Sequence, residues 1–122
     1  KFVYAECGGL LYLNDKLIAK NGIEYQMCGV FPHTGIMKNK LNHRFGYINC
    51  KDRDGYEVRG HEFHYSEIQE ATEKNNKYFD VAGSRGEWQC GYISDNTIAG
   101  YPHIHFFSNV EYFKNLFQKA YI

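Results

Sequence analysis

Lys1-Phe2-Val3-Tyr4-Ala5-Glu6-Cys7-Gly8-Gly9-Leu10-Leu11-Tyr12-Leu13 is the stretch whose reading decides the fold. Phe2 to Ala5 is a short apolar run of strand-forming residues that stops at Cys7-Gly8-Gly9. Beyond the glycines, Leu10, Leu13 and Leu17 recur at the spacing of a helix face, which predicts a helix from about Gly9 to Lys20, closed by Asn21-Gly22. A thiol between a strand end and a helix start occupies the turn of a nucleophile elbow. The free N–H groups and partial positive charge of a helix start favour thiolate over thiol. The same N–H groups suit a developing oxyanion, and Gly8 is the candidate backbone donor. A buried structural cysteine is the competing reading.

Outward from this turn, Ile23 to Phe31 reads as a strand ending at Pro32. Residues around Phe45 to Ile48, the Lys51-Asp52-Arg53-Asp54-Gly55 turn, and Tyr56 to Phe63 read as a hairpin. Glu67 to Lys77 is charged without a clear apolar face and fits a helix or a loop equally. Tyr78–Val81, Glu87–Ile93 and Thr97–Ala99 read as short strands. Asn109 to Tyr121 reads as a helix, with Asn109 as N-cap, Glu111 in its first turn, and an apolar stripe of Phe113, Leu116, Phe117 and Ala120. The class is α/β, one domain over 1–122, with helices at both ends and extended segments between.

Composition excludes several functions. Fourteen basic residues balance fourteen acidic ones, so no electrostatic footprint for nucleic acid or an anionic membrane exists. No apolar run approaches the length of a membrane span, and no signal peptide opens the chain. Cys7, Cys28, Cys50 and Cys90 form no CxxC pair, which argues against a zinc ribbon and for free thiols in a cytoplasmic protein.

Reactive side chains gather in two further clusters, Arg59-Gly60-His61-Glu62-Phe63-His64-Tyr65-Ser66 and Gly100-Tyr101-Pro102-His103-Ile104-His105-Phe106. A thiol nucleophile needs a base, and His103 and His105 both qualify; spacing alone does not choose between them. Strand alternation puts Arg59, His61 and Phe63 on one side and Gly60, Glu62 and His64 on the other, so Glu62 and His64 face a polar substrate or a solvated edge together. A metal-binding or interaction module built on His61, His64, His103 and His105 is the rival from a different class. The HExH spacing of His61-Glu62-Phe63-His64 is one residue short of the zincin motif.

AECGGLLYL, RGHEFHYS and GYPHIHFFSN, in this order, resemble the C-terminal glutamine amidotransferase domain of the cobyrinic acid a,c-diamide synthase family, whose relatives also act on hydrogenobyrinic acid or nickel sirohydrochlorin. The resemblance runs from Phe2 to about Phe113. It implies a class I-like glutaminase fold, incomplete at its N-terminal side, with Cys7 attacking glutamine to give a glutamyl thioester and ammonia. It implies His103 as general base and acid, and places His105 where related triad enzymes carry Glu. Arg59, Glu62, His64 and His105 are then candidates for binding glutamine or orienting the pair. ATP and Mg²⁺ are expected in an absent synthetase domain that activates carboxylates of the tetrapyrrole, and no metal or cofactor is expected on this chain. The chain is expected to be part of a longer enzyme, inactive alone and prone to self-association through the strand Phe2 to Ala5, which admits a homo-oligomer.

Overall fold

The computed structural model describes residues 1–71 and 77–120. Its larger sheet has seven strands in the order β1-β10-β9-β8-β5-β6-β11. These are β1 (Val3–Glu6), β5 (Gly46–Lys51), β6 (Glu57–Glu62), β8 (Lys77–Gly83), β9 (Gly86–Ser94), β10 (Thr97–Gly100) and β11 (His103–His105). A second sheet of β2 (Asn14–Ile18), β3 (Glu24–Gln26), β4 (Phe31–Met37) and β7 (Ser66–Gln69) runs β3-β2-β4-β7. Two helices, α1 (Gly8–Leu13) and α2 (Val110–Ala120), complete the mixed α/β architecture, in which strands dominate.

The hairpin forms where the sequence places it, with Lys51 opposite Glu57 and Cys50 opposite Val58. Its turn is built by Asp52, whose Oδ1 accepts the N–H groups of Asp54 at 3.0 Å and Tyr56 at 2.8 Å. That Asx geometry is what Asp contributes to a tight turn.

Three expectations need correction. The first helix stops at Leu13, and Asn14 opens β2 instead of continuing the helix to Lys20. Leu17, counted above on a helix face, lies on β2 opposite Gly35 of β4. Ile23 to Phe31 is not one strand: Glu24–Gln26 pairs with β2, and a separate strand begins at Phe31. Pro32 lies within β4, next to the point where the register with β2 shifts between Asn14 and Lys16. A residue without an N–H is tolerated at such an irregularity. Of the undecided segment Glu67 to Lys77, Glu67–Gln69 belongs to β7, while 72–76 lie outside the described residues.

Two cores hold the fold. Ile48, Val58, Phe79, Ile98 and Ile104 of the larger sheet pack with Tyr112 and Leu116 of α2. Leu10 of α1 packs with Phe31, Ala99 and Tyr101. The N-cap of α2 is Asn109, whose Oδ1 accepts the N–H groups of Glu111 at 3.0 Å and Tyr112 at 3.3 Å. Tyr121, placed in this helix by the sequence, lies outside the described residues. Asn109→Ala is expected to lower unfolding stability by about 1 kcal/mol in a urea titration, the usual worth of such a cap.

Candidate active site

β1 pairs in parallel with β10, and the next residue, Cys7, donates its N–H to the Gly100 carbonyl at 2.8 Å. The chain then reverses into α1 with Cys7 at φ 52°, ψ −105°, a conformation that a residue with a Cβ resists. Packing forces the reversal to be tight. A Cβ on Gly9 would stand 2.9 Å from that of Ala5, so only glycine lets α1 lie this close to β1. The strand, the sharp turn bearing the thiol, and the helix start are the parts of a nucleophile elbow.

The Cys7 thiol is half-buried, and burial pushes it above the ordinary thiol range; the Gly8 N–H opposes this, and the Glu6 and Glu62 carboxylates add to it. The expected preference for thiolate is therefore reversed in this state. A six-residue helix offers little dipole against desolvation and two nearby negative charges. Burial and charge together thus favour the thiol form of Cys7.

The Gly100–His105 segment is fastened to the elbow at two points. One is the Cys7–Gly100 bond. The other is the Ile104 N–H, which donates to Glu6 Oε2 at 2.9 Å, the same oxygen that accepts the Tyr4 hydroxyl at 2.9 Å. Since β1 and β11 are the outermost strands of the seven, this carboxylate closes the curled sheet where they meet. Residues 96 positions apart in the chain, Cys7 and His103, are thus each adjacent to an anchored neighbour.

His103 stacks on His61 across the β6–β11 pair, with centroids 4.7 Å apart, and no hydrogen bond joins it to the Cys7 sulfur among the described residues. His105 is exposed and lies opposite Arg59, with Phe107 edge-on to its ring. Arg59 is exposed, donates its backbone N–H to Ser108 Oγ at 2.9 Å, and lines an open depression of about 850 Å³ on the sheet.

Glu62 and His64 do share a face, but that face is buried and not a solvated edge. Val58 on the same face of β6 carries the signal that predicts this: every second residue from it, through Gly60 and Glu62 to His64, points inward. His64 lies flat on the Tyr101 ring, with centroids 3.6 Å apart and planes 5° apart. The Tyr101 hydroxyl is 2.7 Å from Ser66 Oγ. Tyr101 and Ser66 are site neighbours that motif reading missed. A cavity of about 300 Å³ opens beside them, lined by His64, Tyr101, Leu10, Arg44, Glu67 and Gln89 among others.

The four histidines of the metal-module reading do not converge, since His64 is buried on Tyr101 while His61 and His103 stack on each other. Among the described residues no group of three or more His, Cys, Asp or Glu side chains is placed to hold a metal ion. No helix among them is long and apolar enough to cross a membrane.

Residues 1–111 match the family model of the CobB/CobQ-like glutamine amidotransferase domain. The chain is 40% identical over 119 residues to the cobyrinate a,c-diamide synthase of Fusobacterium nucleatum, covering 96% of the chain and 27% of that protein. It is 41% identical over 118 residues to the enzyme of the same name from Listeria innocua, covering 88% of the chain and 25% of that protein. With the one from Thermoplasma volcanium, identity is 38% over 111 residues, covering 87% and 24%. The chain spans about a quarter of the length of these curated relatives.

Proposed function

Because the chain belongs to the CobB/CobQ-like glutamine amidotransferase domain family, we propose that it carries the nucleophile of a glutaminase, with Cys7 in that role. The observation that carries this reading is the strained turn: Cys7 is held at φ 52°, ψ −105° between β1 and α1. Strain of this kind costs about 1–3 kcal/mol and persists where function uses it.

In the proposed reaction His103 takes the thiol proton as sulfur attacks the side-chain amide carbon of glutamine. An S–C bond forms and the carbonyl electron pair moves onto oxygen, where the Gly8 N–H stabilises it. The pair returns, the C–N bond breaks, and the imidazolium delivers its proton to the leaving nitrogen, giving ammonia and a glutamyl thioester. Water, deprotonated by the same imidazole, then releases glutamate and restores the thiol. The two anchors, Glu6 with Ile104 and Cys7 with Gly100, support the choice of His103. They hold the segment bearing it against the elbow.

The ammonia is proposed to amidate two acetate carboxylates of a corrin-type tetrapyrrole, as the names of the relatives suggest. The ATP and Mg²⁺ of that step are proposed to be held by a synthetase domain outside this chain. A glutamine analogue with a diazoketone in place of the amide tests the nucleophile. Peptide mass spectrometry is expected to find the adduct on Cys7, with glutamine protecting. Labelling confined to the exposed Cys28, or indifferent to glutamine, would overturn the assignment.

A further inference from the structure

The Glu62 side chain is fully buried, and neither of its oxygens has a hydrogen-bond partner among the described residues. A lone ionised carboxylate in such a place costs several kcal/mol, so it requires either a proton or a cation. Among the described residues the one cation within 4 Å is His64, 3% exposed, whose Nε2 lies 3.7 Å from Glu62 Oε1 and likewise has no hydrogen-bond partner. The other ring nitrogen, Nδ1, is 2.9 Å from the Ser66 carbonyl oxygen. A carbonyl only accepts, so Nδ1 carries hydrogen. Nε2 then bears the second hydrogen towards the carboxylate, the arrangement in which Glu62 keeps its charge and His64 supplies the cation.

This pair touches the machinery on two sides. The His64 ring supports Tyr101, which sits between Gly100, the backbone anchor of Cys7, and His103. The Glu62 charge acts on groups of four other segments, raising the thiols of Cys7 at the elbow, Cys50 on β5 and Cys90 on β9 and the phenol of Tyr101 ahead of β11. After burial itself, Glu62 is the next cause raising the Cys50 and Cys90 thiols, the former to about 12. Glu6 acts on Cys7 in the same direction, and the cavity beside His64 brings His43, Arg44, Glu67, Glu70 and Lys77.

We infer that Glu62 and His64 form a buried carboxylate–imidazolium ion pair that positions the Tyr101–His103 segment and sets the charge presented to Cys7. Both are positioning residues, acting through Tyr101 and through the field at the sulfur. The inference rests on reading Cys7 as the nucleophile, but its consequence for the thiol is measurable without turnover.

The test is the pH profile of iodoacetamide alkylation of Cys7, followed peptide by peptide. Glu62→Gln removes the negative charge, so the midpoint falls; a shift of about half a unit corresponds to about threefold faster alkylation at neutral pH. His64→Gln leaves the carboxylate without its cation; at the alkaline pH where the buried Cys7 thiol titrates the carboxylate is ionised even so, and the midpoint rises with alkylation slowed by a similar factor. Opposite signs are the signature, because loss of packing alone would expose Cys7 and move both variants the same way. Shifts of one sign, or none, overturn the inference. Absence of glutamine hydrolysis with opposite shifts would instead fault the glutaminase reading. Should neither variant fold, ¹⁵N resonances of the wild-type His64 ring decide: protonation of both Nδ1 and Nε2 supports the pair, and an unprotonated Nε2 overturns it.

Discussion

Replacing Cys7 with alanine is expected to lower glutamine hydrolysis by at least about 10³-fold, measured as ammonia release by the protein carrying this domain. No other group in the described site substitutes for the sulfur. Cys50 and Cys90 are buried, and Cys28 lies on the connection from β3 to β4. The same position makes a second, opposite prediction. At φ 52°, ψ −105° glycine is relaxed where any Cβ is strained. Cys7→Gly is therefore expected to be more stable than Cys7→Ala by about 1–3 kcal/mol in chemical unfolding, while both lack activity. A nucleophile held in a strained turn predicts this split between stability and function. Equal stability of the two variants would mean that the turn is not strained, and substantial residual hydrolysis would mean that Cys7 is not the nucleophile.

The elbow was legible in the sequence because its signals are local: a strand-forming run, a thiol, then two glycines. The end of the helix was not, since Leu10, Leu13 and Leu17 satisfy a helical spacing that three residues cannot distinguish from a helix followed by a strand. The decision belongs to β4, whose residues Phe31 to Ile36 pair with Asn14 to Ile18, and long-range pairing leaves no local trace. The hairpin was legible from its Asp-Gly turn, and the α2 cap from Asn109. The burial of Glu62 and His64 was hidden by habit more than by physics. Charged residues near a turn suggest a solvated edge, yet Val58 fixes the parity of β6 and sends both inward. The stacking of His64 on Tyr101 joins segments 37 positions apart, a juxtaposition that only the pairing of β11 with β6 creates.

That pairing supplies the second large effect, at Gly60. A Cβ added there would stand 2.3 Å from the His103 carbonyl oxygen, against 3.4 Å or more for ordinary contact, so something must move by about 1 Å. The other close atoms, the His103 carbonyl carbon and Ile104 Cα, are backbone as well, so no side chain can swing aside. β6 is held by the six-residue register with β5, whereas β11 is three residues long and, among the described residues, pairs with β6 alone. The weaker element yields, and it is the one carrying His103. Overpacking of this kind costs about 1–3 kcal/mol of stability. The larger consequence is catalytic, since a displacement of about 1 Å in a positioned group costs on the order of 10²-fold. Gly60→Ala is therefore expected to remain folded, to retain alkylation of Cys7, and to lose about 10²-fold in kcat for glutamine hydrolysis. Retained thiol chemistry with lost turnover separates a misplaced base from a collapsed site. A Gly60→Ala protein that hydrolyses glutamine at the parent rate would show that β11 does not position the base, and His103 would lose its role.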